Sequence, residues 1–248
     1  GNTTTVYSMG ITLQGYTAAT VAANTIRNIE SFLATGIRGL DLGAISSAGT
    51  NAVVERNFIN GVNNKSISTF GAYGINIAAG NGNTIRNNMV QGITGDMTGG
   101  AAFSTTFGIF GIRIASGINH VVYHNSVYLH GARTGTAASS LLSAAFAITG
   151  TGLTGCNVRN NIFANTQTGG TTSIAYVSMF LPSGGTSAMA LTLNNNAYYC
   201  NSTAGSAGIC HAGTTYTNPN TAAAGLWTAA NFVPGAITPS NNLRSYTS

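Results

Sequence analysis

The chain has 248 residues, 44% of them hydrophobic and only 5% charged, with nine basic side chains against four acidic ones and a formal charge of +5. Disorder needs the reverse balance, little apolar content and much charge, so this composition describes a folded chain that keeps itself soluble with amides and hydroxyls. A single lysine and scattered arginines do not make the basic face of a nucleic-acid binder, and no run approaches the ~20 apolar residues of a membrane span, so neither nucleic acid nor membrane insertion is expected.

From the first residue, Gly1 to Met9 reads as strand, with no basic segment leading into an apolar core, as in a mature form or a fragment. Gly10-Ile11-Thr12-Leu13 then alternates apolar and polar after a small residue. That element returns at Gly36-Ile37-Arg38, Gly74-Ile75-Asn76-Ile77, Gly111-Ile112-Arg113-Ile114 and Ala147-Ile148. A second skeleton, apolar-x-x-Asn-x-apolar, occupies Val54-Glu55-Arg56-Asn57-Phe58-Ile59, Ile85 to Val90, Val122 to Val127, Val158 to Phe163 and Leu193 to Tyr198. A degenerate first copy is read at Ile26-Arg27-Asn28-Ile29. The leading apolar residues then lie 28, 31, 37, 36 and 35 residues apart, the signature of a solenoid.

The offset from Ile75 to Ile85, Ile112 to Val122 and Ile148 to Val158 is ten residues each time, which implies a fixed corner between two strands. The stretches after the Asn motif, such as Gly92 to Phe107 and Gly131 to Ala145, vary in length. They are assigned to the third side of each coil and its loops. Strong helix formers are sparse, while Ile, Val and Thr in the strands with Gly and Asn between them describe short strands and tight turns. The fold class expected is all-β: a single parallel β-helix of ~six to seven coils. Residues 1–200 form the coils. Residues 201–248 add a loop, a short turn around Trp227 and a closing strand at 241–243, a capping segment of the same domain.

The repeated V-x-x-N-x-V pattern, over roughly residues 7 to 200, and the tail with Tyr198, Tyr199 and Gly225-Leu226-Trp227 resemble secreted bacterial right-handed parallel β-helix proteins of the pectin-lyase-like superfamily. The resemblance implies a right-handed solenoid and a secreted or cell-surface location. It spans pectate lyases, polygalacturonases, tailspikes and adhesins, so fold does not select the activity. Such proteins often carry an N-terminal helical lid, whereas Gly1 to Met9 predicts an uncapped first coil, covered by a removed upstream domain or by another copy.

Stacking turns each repeat position into a column. Asn57, Asn88, Asn125, Asn161 and Asn196 become an internal amide ladder at a corner, and Val54, Ile85, Val122, Val158 and Leu193 become core, as do Ile59, Val90, Val127, Phe163 and Tyr198. One register aligns Arg27, Glu55, Arg86, Tyr123, Arg159 and Asn194 and sets Glu55 between two arginines. Sliding by one aligns Arg27, Arg56, Arg86, His124 and Arg159 as a basic stripe. The first keeps both the ladder and the core column intact and relieves like-charge repulsion.

Lyases and hydrolases of this fold need several acids on one face, but Glu30, Asp41, Glu55 and Asp96 share no column, so no catalytic residue is assigned. His120 and His124, four apart, would stand ~13 Å apart on a strand, too far to share an ion. The histidines are read as surface groups, and neither metal nor cofactor is expected. Cys156 is read as an inert inward thiol, and Cys200 with Cys210 as a disulfide candidate that points to an oxidising compartment. Asn2, Asn64 and Asn201 head glycosylation sequons of a kind Asn/Thr-rich chains produce by chance. The function expected is a non-enzymatic extracellular rod, a homo-oligomer by end-to-end stacking. The alternative is a protein that binds or cleaves polysaccharide on its variable loops.

Overall fold

The computed structural model describes residues 8–43, 48–67, 70–96, 108–133, 142–150, 152–169, 175–182 and 189–200, together with the backbone of 206–212, 215–216, 237–240 and 243–246. Its strands form three parallel sheets around one core. The first sheet stacks Met9–Leu13, Ile37–Leu42, Ala72–Ile77, Gly108–Ile114, Leu142–Ile148, Ala175–Leu181 and Ser206–Ala212, and ends on the antiparallel strand Thr215–Tyr216. The second stacks Thr20–Ala22, Val53–Glu55, Thr84–Arg86, Val121–Tyr123, Asn157–Arg159, Leu191–Asn194 and Ile237–Ser240. The third stacks Thr25–Ser31, Phe58–Asn64, Met89–Gly95, Ser126–Leu129, Ile162–Asn165, Ala197–Cys200 and Leu243–Tyr246. Each coil gives one strand to each sheet in chain order, so the molecule is an all-β parallel solenoid. Ala132–Arg133 and Thr168–Gly169 add a small parallel pair.

Sheet register converts sequence periodicity into core. Val21, Val54, Ile85, Val122, Val158 and Leu193 pair in one column of the second sheet. Ile26, Ile59, Val90, Val127, Phe163 and Tyr198 pair in one column of the third. All twelve are buried, and each such side chain contributes about 1.5–3 kcal/mol by leaving water.

Several sequence assignments shift. The first copy of the Asn motif is Val21-Ala22-Ala23-Asn24-Thr25-Ile26, because Val21 pairs with Val54 and Ile26 with Ile59. Asn28 instead lies at a left-handed bend of the third sheet with Gly61 and Gly92. The first-sheet element in the second coil is Gly39-Leu40-Asp41-Leu42, since Leu40 pairs with Ile11 and Ile75, and in the fifth it is Ala145-Phe146-Ala147-Ile148, since Phe146 pairs with Ile112. The ten-residue offset therefore fails at Phe146 to Val158, where the corner through Gly152 to Cys156 is longer. The third side begins inside the Asn motif, at Phe58, Met89 and Ser126, rather than after it.

Gly10, Gly39, Gly74 and Gly111 fill one position of successive first-sheet strands. A Cβ on Gly74 would lie 2.5 Å from the carbonyl oxygen of Gly111, so close stacking of these rungs requires glycine.

Candidate functional site

The corner between the second and third sheets is built from a left-handed residue followed by the ladder asparagine. Ala23, Arg56, Asn87, His124, Asn160 and Asn195 all have φ between 52° and 57°. That conformation turns the chain sharply and sends the next side chain inward. Asn24 donates its backbone N–H and its Nδ2 to Asn57 Oδ1 at 3.1 and 2.9 Å. Asn57 repeats this to Asn88 at 3.0 and 3.0 Å. Asn88 does so to Asn125, Asn125 to Asn161 and Asn161 to Asn196. Each Nδ2 from Asn57 onward also reaches back to a carbonyl of the preceding coil, Val21, Val54, Ile85, Val122 and Val158 in turn. The five predicted ladder residues are buried, and no sugar could reach their amides.

A second internal ladder was not read from the sequence. At the corner between the first and second sheets another left-handed column runs through Ala18, Asn51, Gly82, Asn119, Gly155 and Ala190. The residue that follows points in. Ala52 N–H donates to Asn83 Oδ1 at 3.0 Å, and Asn83 N–H donates to His120 Nδ1 at 3.3 Å. His120 Nε2 therefore carries the proton and donates to the Ser116 carbonyl at 3.1 Å. His120 is fully buried, not a surface group, and burial lowers its pKa. Cys156 occupies the next rung, also buried, and burial pushes its thiol up to about 11, which makes it inert. The signal available in the sequence was the small or αL-tolerant residue before each of these positions.

Each of the three sheets also carries charged groups on its outward side. On the second sheet the column reads Ala22, Glu55, Arg86, Tyr123, Arg159, Asn194. Arg27 is absent from it and pairs with Asn60 on the third sheet, its guanidinium over Phe58. Arg86 donates to Glu55 at 2.6 Å and to the Tyr123 hydroxyl at 2.8 Å. Arg159 lies over the Tyr123 ring, and Arg56 pairs with Glu55 at 2.9 Å. The hydrogen bond from Arg86 is the main cause that holds the Glu55 carboxyl below its ordinary value.

The first sheet carries a charged cluster that the spacing of the sequence does not reveal, drawn from three coils. Asp41, fully buried, lies 3.2 Å from Arg38 Nε and accepts from Asn76 Nδ2 at 2.6 Å. Arg113 donates to Asn76 Oδ1 at 2.9 Å from the coil above. Both guanidiniums lie over the Tyr73 ring, which stacks on Phe110. Burial lowers the pKa of Arg113 and raises that of Tyr73. Asp41 pairs with Arg38 and is linked to Arg113 through Asn76, a structural joint between three coils.

On the third sheet the bend at Asn28, Gly61 and Gly92 opens a concavity of about 340 Å³ lined also by Glu30, Asn63 and Thr94. Asn63 donates to Glu30 at 3.3 Å, and Lys65 stands 3.8 Å from it.

The four carboxylates thus occupy separate columns. Among the described residues no group of three or more His, Cys, Asp or Glu side chains could share a metal ion. Asn64 of the sequon at 64–66 is buried and bonds the Gly71 carbonyl at 3.2 Å, so it is closed to a glycan. Asn2 and Asn201 lie outside the described residues, as do Trp227 and the turn around it. Cys200 is buried with its thiol 3.4 Å from the Tyr176 carbonyl. Cys210 sits on a strand opposite Met179, but its side chain lies outside those described, and with it the Cys200–Cys210 pairing. Comparison of the chain with protein-family models, with curated proteins and with solved structures found no match.

Proposed function

We propose that this chain is a non-catalytic extracellular structural protein, a β-solenoid rod that associates end to end as a filament, adhesin stalk or matrix component. In this reading it is akin to the right-handed β-helix proteins of the pectin-lyase-like superfamily. The observation that carries the reading is that polar contacts run along the axis. Asn57 to Asn88, Arg86 to Glu55 and Tyr123, and Asn76 to Asp41 each join one coil to the next. Side chains spent this way hold a rod together and, among the described residues, leave no convergent acid and base. Electron microscopy and light scattering over a concentration series test the reading. Rods that lengthen with concentration are expected, and monodisperse single chains at high concentration would sink it. Incubation with uronate polymers, with and without calcium, tests the non-catalytic part: neither unsaturated products nor new reducing ends should appear.

The concavity over Asn28, Glu30, Asn63 and Thr94 favours a second reading, polysaccharide binding, because amides, hydroxyls and a carboxylate suit sugar hydroxyls. Retention of the chain on an immobilised polysaccharide, lost on Asn63→Ala, would move the conclusion to that reading.

A further inference from the structure

We infer that the outward groove of the third sheet, over the strands Thr25–Ser31, Phe58–Asn64 and Met89–Gly95, holds an uncharged glycan chain laid along the rod axis. This assignment rests on the polysaccharide-binding reading above and names the class of sugar and its direction.

Polar side chains on this face are uncommitted. At the ladder corner each asparagine bonds the next coil, and on the other two sheets Arg86 reaches Glu55 and Asn76 reaches Asp41. Here, among the described residues, the side chains of Asn28, Asn60, Gln91 and Thr94 form no hydrogen bond with the protein. Asn63 donates through Nδ2 to Glu30 at 3.3 Å, while its Oδ1 is buried without a partner. A file of amides and a hydroxyl that hold no coil together has its donors and acceptors ready for a ligand rich in hydroxyls.

Shape gives the direction. Asn28, Gly61 and Gly92 have φ of 54°, 78° and 62°, and their neighbours are in register, Arg27 with Asn60 and Gln91, and Glu30 with Asn63 and Thr94. The bend therefore repeats from coil to coil as a trough parallel to the axis. Gly61 and Gly92 leave its floor as bare backbone. A Cβ on Gly92 would lie 2.8 Å from Asn60 Oδ1, so that amide rests against the floor. Coils recur at ~4.8 Å, close to the width of a sugar ring, so each coil meets about one ring of an extended chain. One coil on from Gln91 the same column holds Tyr128, 43% exposed, its hydroxyl accepting from Thr166 at 3.1 Å. That bond fixes an aromatic ring for the apolar face of a sugar.

Charge selects the class. The concavity is lined by one carboxylate, Glu30, and no cation, and Lys65 beside it is paired with Glu30 at 3.8 Å. An anionic sugar would set its carboxylate against Glu30. A neutral one offers vicinal hydroxyls that donate to Glu30 and accept from an amide.

The test measures retention of the chain on immobilised neutral glucans and mannans and on polygalacturonate, in about 0.15 M salt and above, where charge attraction between exposed groups is screened. Neutral polymers should retain it, and added salt should not release it. Thr94→Arg, which fills the trough, should abolish retention, and Ile162→Thr, an exposed change elsewhere on the sheet, should leave it. Asn60→Ala/Gln91→Ala should weaken binding about tenfold, the loss of one or two hydrogen bonds. Neither side chain bonds the protein, so the melting temperature should not move. A chain retained only by polygalacturonate, and released by salt, would overturn the neutral class and leave polysaccharide binding standing. Neutral retention untouched by Thr94→Arg would overturn the groove. Lateral pairing of rods that Thr94→Arg abolishes would assign the groove to a second copy and overturn the inference, and no retention on any polymer would remove the polysaccharide reading with it.

Discussion

Asn88 Oδ1 accepts two hydrogen bonds from Asn57, one from the backbone N–H and one from Nδ2, both at 3.0 Å, in a fully buried corner. The same Asn88 donates to the Val54 carbonyl at 2.9 Å and to Asn125. Replacing it by Ala orphans buried groups in three coils and is expected to cost about 3–5 kcal/mol. Asn24→Ala, at the first described rung of the ladder, should cost about 1 kcal/mol, since no ladder bond to Asn24 is lost with it among the described residues. Urea unfolding of both variants checks the contrast, and equal losses would refute the ladder's cumulative bonding.

Ala23 adopts φ 57° at the corner position that Asn87, Asn160 and Asn195 also occupy. An alanine in the left-handed region is strained by its Cβ, which Asn tolerates better and Gly avoids. Ala23→Gly and Ala23→Asn are each expected to stabilise the fold by roughly 0.5–1 kcal/mol. Asn87→Ala should destabilise by a similar amount, as read from the shift in the unfolding midpoint.

His120 links protonation to the second ladder. The folded chain holds it neutral, with Nδ1 accepting from the backbone N–H of Asn83 and burial lowering its pKa. In the unfolded chain it titrates near ~6.5. Below that pH the unfolded state binds the extra proton, so stability is fully present above ~6.5 and falls as the pH drops toward the folded value, by up to about 1.4 kcal/mol per pH unit. The loss that Glu55 adds, with its lowered pKa, belongs to the carboxylate range below. His120→Gln should remove the upper limb of the profile and keep the lower one. An unchanged profile between pH 6.5 and 5 would refute the assignment.

Asp41 is the fully buried carboxylate between Arg38 and Asn76. Asp41→Ala leaves the Arg38 guanidinium without its counter-charge and Asn76 Nδ2 without its acceptor, and should cost about 3–5 kcal/mol. Asp41→Asn, which keeps the shape and one acceptor, should cost less. Thermal melts of the two variants give the comparison, and equal melting temperatures would argue against a charged joint.

The parallel solenoid was legible in the sequence because a coil can bury only a few inward positions, and those positions recur in every copy. The columns through Val54 and Ile59 follow from counting alone. The first copy was misplaced by five residues because Ala22 and Ala23 carry no signal that separates them from loop, whereas Ile26-Arg27-Asn28 mimics the motif. Only the pairing of Val21 with Val54 decides it. The His120 ladder and the Asp41 cluster were not legible for a related reason: corner lengths differ between coils, so register along the first sheet has to be read in space. Periodicity determined that this chain is a rod with an asparagine spine. The tertiary structure decided which polar groups meet, because backbone pairing at a fixed rung spacing, and not distance along the chain, sets which side chains become neighbours.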